Sequence, residues 1–270
     1  MRKRSRIDWN TSHLIVTGGS SGIGEAVANE ATTRGAKVSL IARDADRLEA
    51  VGSRIGAQWA SADVTDFDAV QRAVEDLQSR SGTCTALVSC AGTALPGRFL
   101  DVDVAEFGSQ MALNYLGAVH VLRAVLPAMV ARGNGSVLLT SSTAGLIGVV
   151  GYSGYGPTKA AVHQLAHSLR YEMEPHGITV GVLYPPDTRT PGFDVENARK
   201  PPETAAVSGA ITPVEPSVVA RAALNGMERG HHHIAADPLT KVLIRAGGLL
   251  EPAIRPFMKR TISRSAVRLY

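Results

Sequence analysis

The chain has 270 residues, 44% hydrophobic and 19% charged, which is enough apolar sequence to bury one large core in a single α/β domain. Its formal charge of +4 is uneven, with Arg2, Lys3, Arg4 and Arg6 at the start and Arg245, Arg255, Lys259, Arg260, Arg264 and Arg268 near the end. No aromatic interleaving or nucleic-acid module accompanies these cations, so nucleic acid is not an expected partner, and two cysteines, Cys84 and Cys90, cannot build a disulfide framework and suit a reducing compartment.

In chain order, residues 1–12 form a basic extension with no apolar stretch behind it, so no cleaved secretory signal is expected. No uninterrupted run of about 18 apolar residues follows, so no transmembrane helix is expected either. Leu14 to Thr17 is a short apolar strand ending in glycines; a helical stretch closes at Gly35, and Ala36 to Ala42 is the next strand. The alternation continues with a strand at about Thr85–Ser89, a long helical region over 104–132, the strand Ser136–Thr140, a helix over about 157–174 and the strand Ile178–Tyr184. Such repeated units predict a parallel sheet covered by helices on both faces. Between Pro185 and Pro216 the sequence turns rich in proline, threonine and glycine, which predicts a long irregular excursion, read as a substrate lid or else as a disordered insert.

After the first strand comes Thr17-Gly-Gly-Ser-Ser-Gly-Ile-Gly24. Gly18, Gly22 and Gly24 let bare backbone approach a phosphate at a helix N-terminus, where amides and dipole favour negative charge. An acid at the end of the second strand would bind the adenosine ribose and repel a 2′-phosphate; here stand Ala42 and Arg43. Arg43, Arg47 and the hydroxyl of Ser20 or Ser21 would surround that phosphate, so NADP(H) is preferred, with Asp44 turned away as a helix cap. These features define a single-domain, Rossmann-type doubly wound parallel sheet over residues 13–236.

Tyr155 and Lys159 lie four apart on one helix face, with Pro157 in its first turn. A nearby ammonium brings a phenol toward working pH, so Lys159 is expected to lower the Tyr155 pKa. Ser142 ends a strand where parallel α/β sheets bind ligands, and Asn114 sits mid-helix, where it would hold a water that relays protons to Lys159.

On these residues the sequence resembles the short-chain dehydrogenase/reductase family up to about Ala235. The resemblance implies that Asn114, Ser142, Tyr155 and Lys159 are the catalytic tetrad. It implies cofactor contacts from Gly18, Ser20, Ser21, Gly22, Ile23, Gly24, Arg43, Arg47, Asp63, Val64, Ala91, Gly92, Pro185 and Thr188, besides Tyr155 and Lys159. Cys90 departs from the pattern, taking the place of an asparagine that braces the central strand. The stretch Tyr184-Pro-Pro-Asp-Thr-Arg-Thr-Pro-Gly-Phe193 is similar to the branch of the family that reduces 3-oxosphinganine to sphinganine with NADPH on the cytosolic side of a membrane. The same tetrad would equally serve a steroid, fatty-acyl or other ketone, and a non-catalytic NADP(H)-binding protein is a third reading.

A sphingoid base needs a greasy channel, for which Phe193, Val195 and Val207 are candidates, and an acceptor for its ammonium, for which Asp187, Asp194 or Glu196 stand ready unless they are solvated lid charges. Ser142, Tyr155 and Phe193 are the expected substrate contacts. Residues 237–270 mix apolar residues with cations as an interfacial helix pair broken by Pro252 and Pro256, with a packed helix or subunit contact as the competing reading. A homodimer or homotetramer formed through the long helices is implied by the resemblance. His231–His233 are not read as a metal site, since neighbours on a strand face opposite ways.

Overall fold

The computed structural model describes residues 7–209 and 212–264; Arg2, Lys3, Arg4, Arg6 and Arg268, and the side chain of Arg264, lie outside the described residues. Among the described residues, seven strands form one parallel sheet: β1 (His13–Thr17), β2 (Lys37–Ala42), β3 (Gln58–Ser61), β4 (Ala86–Ser89), β5 (Gly135–Thr140), β6 (Ile178–Tyr184) and β7 (His233–Ala235). Their order is β3-β2-β1-β4-β5-β6-β7. The helices are α1 (Gly22–Thr33), α2 (Ala45–Ile55), α3 (Phe67–Ser81), α4 (Val104–Met111), α5 (Gly117–Arg132), α6 (Tyr155–Met173), α7 (Pro191–Arg199), α8 (Pro202–Ser208), α9 (Pro216–Glu228) and α10 (Pro238–Arg264).

Alternation along each strand divides the core. Leu14, Val16, Leu40 and Val88 point to the face covered by α1, α2 and α9, whereas Ile15, Ile41, Leu87 and Leu139 face α3, α5 and α6. Burial on both sides explains why the strands read as near-continuous apolar runs. Helix starts follow from short acids: Asp44, Asp66 and Asp103 each accept a backbone N–H at the N-cap of α2, α3 and α4. The order reverses between β1 and β4, so the segments after β1, β4, β5 and β6 converge on one edge of the sheet.

The excursion after β6 is not irregular. Thr190 caps α7, with Pro191 in its first turn, and Pro202 opens α8; the prolines that look like breakers begin helices, because the first turn needs no N–H from them. A bridge between Thr188 and Val214 ties the two ends of the excursion together. The C-terminal stretch takes the packed-helix alternative. In place of a broken pair, α10 runs unbroken through Pro252 and Pro256, which lie four apart and exposed, so the carbonyls they fail to satisfy can turn to water. Its first turns bury Thr240 and Leu243, and it packs on α8 and β7.

The helical run Val104–Arg132 is long and apolar enough to cross a membrane by length and composition alone. In the fold, Val121, Leu122, Val125 and Met129 of this run are buried in the sheet core.

Candidate active site

A cavity of about 870 Å³ opens along the edge where the strands end. One end is walled by Ala42, Arg43, Arg47, Asp63 and Val64, the middle by the glycine loop with Ala91 and Gly92, and the far end by Ser142, Tyr155, Lys159, Pro185 and Thr188. Ser20, Ser21, Gly22, Ile23 and Gly24 line it as well. The loop is built for close backbone contact: Gly18 adopts φ +67°, and a Cβ on Gly24 would stand 2.3 Å from the Gly18 carbonyl oxygen. An elongated cavity with a glycine turn at the N-terminus of α1 fits a dinucleotide.

At the first of these ends Arg43 reaches Asp63 at 3.8 Å; the Arg43 side chain is largely exposed and that of Asp63 partly so. Asp63 accepts hydrogen bonds from the Thr65 N–H and hydroxyl; burial works against its charge, but those bonds and Arg43 hold it below the usual carboxylate range. Asp44 caps α2 through the Arg47 N–H and pairs with the Arg47 guanidinium at 3.1 Å.

At the other end Ser142 is extended and caps a short turn, its Oγ accepting from the Ala144 N–H at 3.2 Å. The neighbouring Ser141 hydroxyl donates to the Lys159 carbonyl at 2.7 Å, which fixes the end of β5 against the first turns of α6. That brings the Ser142 hydroxyl and the Tyr155 phenol to the same wall of the cavity. Lys159 is buried, donates to the Thr140 carbonyl at 3.0 Å and lies 5.7 Å from the centre of the Tyr155 ring.

The electrostatics differ from expectation. Burial pushes the Tyr155 phenol up, the Glu196 and Asp187 carboxylates add to the rise, and the nearby Ser142 hydroxyl opposes it. Lys159 falls to about 8 because burial penalises its charge. The Lys159 ammonium donates to the Thr140 carbonyl and lies over the Tyr155 ring, while Glu196 and Asp187 act on the phenol in the opposite sense. A phenol held protonated suits a proton donor.

Asn114 is buried. It lies in a π-helical turn, Ala112–Leu116, between α4 and α5. Its amide donates to the Thr93 carbonyl at 2.9 Å and to Thr158 Oγ1 at 3.0 Å, and its oxygen accepts from the Thr93 N–H at 2.8 Å. That side chain clamps the loop after β4 to α6. Cys90 packs partly buried against the core and also lines the cavity, its Sγ 3.4 Å from Thr140 Oγ1 across the ends of β4 and β5. This weak contact stands where an asparagine would brace the strand. Cys84 is fully buried and pushed up to about 12 by burial.

Of the lid residues, Phe193, Val207, Asp187 and Glu196 line the cavity. Val195 is 58% exposed and Asp194 is exposed, and neither lines it: both lie on the outer side of α7, so neither forms channel or acceptor. Pro185 and Thr188 line the turn after β6, where the Thr188 hydroxyl donates to the Pro186 carbonyl at 2.7 Å. Sequence reasoning misses Tyr152 and Lys200. Tyr152 donates to Glu196, its ring 5.7 Å from that of Tyr155, and Lys200 pairs with Glu196 at 3.2 Å. The spacing of Tyr152 one turn before Tyr155, and of Glu196 four before Lys200, carried a legible signal. Sequence reasoning also misses the contribution of α10, whose Leu239, Thr240, Leu243 and Met258 close one wall. His232 and His233 are engaged by the Val180 carbonyl and the Tyr184 hydroxyl.

Residues 12–201 match the model of the short chain dehydrogenase family. A 3-ketodihydrosphingosine reductase of Dictyostelium discoideum is 36% identical over 95% of this chain and 82% of its own length. A 3-dehydrosphinganine reductase of Danio rerio is 40% identical over 85% of this chain and 72% of its own. Among solved structures, a short-chain dehydrogenase from Streptomyces avermitilis superposes with a TM-score of 0.78 at 28% identity, covering 95% of this chain and 98% of that one.

Proposed function

Because the chain belongs to the short chain dehydrogenase family, we propose that it reduces the ketone of 3-oxosphinganine to the alcohol of sphinganine with NADPH. It is an oxidoreductase, and its relatives named as 3-ketodihydrosphingosine and 3-dehydrosphinganine reductases supply the substrate. The observation that carries this reading is that the likeness to the Dictyostelium reductase spans 95% of the chain, the lid as well as the sheet. The cavity supports it, since the Tyr155 end continues into a wall of Ile147, Val149, Phe193, Val207 and Leu243 suited to an aliphatic chain.

When bound, the nicotinamide cofactor supplies the hydride. Arg43 and Arg47 would hold its 2′-phosphate, and the amides after Gly18 its diphosphate. Lys159, with donors left beyond Thr140, would hold the nicotinamide ribose. Pro185 and Thr188 would border the nicotinamide, as Asp63, Val64, Ala91 and Gly92 border the adenine side and the middle. Ser142 and Tyr155 donate to the ketone oxygen, so negative charge develops where donors already point. Tyr155 then gives up its proton. Asn114 holds the loop and helix in register through Thr93 and Thr158.

Assembly as a homodimer or homotetramer through α5 and α6 belongs to the same reading, as does a cytoplasmic protein working at the cytosolic face of a membrane. Light scattering and vesicle flotation test these two. The activity is tested by incubating the protein with NADPH and 3-oxosphinganine and identifying sphinganine by mass; no sphinganine would refute the assignment.

A further inference from the structure

The cavity wall beside Tyr155 carries charge that the reduction of a simple ketone would not need. Asp187 lines the cavity, and its carboxylate makes no hydrogen bond or ion pair among the described residues. Glu196 lines it too, but its Oε1 accepts from the Tyr152 hydroxyl and from the Lys200 ammonium at 3.2 Å. The Lys200 side chain is only 2% exposed and lies over the Phe193 ring, 4.5 Å from its centre. Lys200 itself does not line the cavity, so it meets Glu196 from the far side of the wall. Phe193 and Glu196 thus already engage one primary ammonium, the chain's own, through a carboxylate and an aromatic face, the usual components of an ammonium cage.

Two carboxylates and one ammonium leave a single negative charge, and the carboxylate without an ion-pair partner is Asp187. The wall is partly desolvated, where an uncompensated carboxylate is costly and a matching cation is held strongly. Burial raises the Asp187 carboxyl, Lys200 opposes that rise and Glu196 adds to it, so a cation arriving from the cavity side relieves the strain.

We infer that Asp187, flanked by Glu196 and Phe193, is the subsite for a primary ammonium carried beside the reacting ketone, and that Lys200 sets the subsite to take one positive charge by neutralising Glu196. This deepens the reading of the chain as a 3-oxosphinganine reductase and rests on it. Asp187 and Glu196 are then specificity residues, and Lys200 is a positioning residue that acts through Glu196.

The test compares kcat/KM for 3-oxosphinganine and for 1-hydroxyoctadecan-3-one, which has the same chain and ketone but no amine, at neutral pH with NADPH. Wild type should favour the amino ketone by about tenfold or more, the discrimination expected of one charge-assisted pair. Asp187→Asn should cut that ratio about tenfold and Glu196→Gln should lower it less, whereas Lys200→Met, which leaves a second free carboxylate, should raise it. A merely structural role would move all three ratios the same way or not at all, and that result overturns the inference. Equal use of both ketones by wild type, which needs no variant to fold, overturns the inference while leaving the reductase reading intact. If neither ketone is reduced, the reading itself falls and takes the subsite with it.

Discussion

The Lys159 ammonium donates to the Thr140 carbonyl at 3.0 Å, tying the first turns of α6 to the last residue of β5. The group that should respond to a cofactor ribose is thus held by backbone, inside the protein, at the place where the sheet ends. Its burial gives it two measurable consequences.

The first is stability. With Lys159 at about 8, the unfolded chain binds a proton that the folded one lacks between about 8 and the ordinary lysine value near 10.4. This group therefore makes stability rise with pH across that window and exerts a constant penalty below it. Urea midpoints at pH 8 and pH 10 should differ less in Lys159→Met than in wild type; an undiminished difference would place the titration elsewhere.

The second is activity. Reduction needs the phenol protonated and the ammonium charged, and Lys159 is the first of the two to lose its proton, at about 8. The kcat/KM for reduction should fall as pH rises through that value, while Lys159→Arg, charged throughout, should lack this limb. A flat profile to pH 9.5 in wild type would contradict the assignment.

On the proposed mechanism, Ser142→Ala removes one of two donors to the ketone oxygen and leaves the backbone of β5 in place. A loss in kcat of about 10²-fold is expected, with KM changed far less. Steady-state kinetics decide it, and a loss confined to KM would assign Ser142 to binding alone.

On the proposed reading, Arg43 and Arg47 select NADPH over NADH. Replacing both by Ala should raise the KM for NADPH by about tenfold or more, the loss of charge-assisted bonds to a phosphate, and leave that for NADH nearly unchanged. Equal losses for both cofactors would show that neither arginine reads the 2′-phosphate.

Glu203 at the start of α8 is fully buried and receives two bonds from Arg98, at 2.7 and 3.2 Å. This pair fastens the lid to the loop after β4, and Arg98 holds the Glu203 carboxyl below its usual range despite burial. Arg98→Ala strands the carboxylate and should cost on the order of 3 kcal/mol. Because the depressed carboxyl stabilises only while ionised, that contribution is lost as pH falls through its lowered pKa. Thermal melts of wild type and Arg98→Ala should therefore converge in acid; a constant gap would refute the role of the pair.

The sheet was legible because parallel strands buried on both faces leave plain apolar runs, as at Leu14–Thr17 and Ile178–Tyr184, and because Gly18, Gly22 and Gly24 have no ordinary reason to cluster. Edge strand β3, Gln58–Ser61, is half exposed and carries no such run. The lid helices were illegible because proline reads as a stop unless the cap before it is weighed, as Thr190 before Pro191 shows. Ser142, Tyr155 and Lys159 meet as their positions imply, whereas the upward push on Tyr155 comes from Glu196 and Asp187, more than 30 residues away in sequence and brought near only by the folded lid. The wall supplied by α10 is likewise tertiary: Leu239 and Leu243 look like membrane contacts until the helix is seen across the cavity mouth.

The most direct measurement is oxidation of NADPH, followed at 340 nm, with 3-oxosphinganine, wild type beside Tyr155→Phe. Wild type should turn over with NADPH, and the variant should bind NADPH as well but lose about 10²- to 10⁴-fold in kcat, the share expected of the proton donor. Turnover that survives the loss of the phenol, or NADPH bound by wild type with no oxidation, would contradict the account.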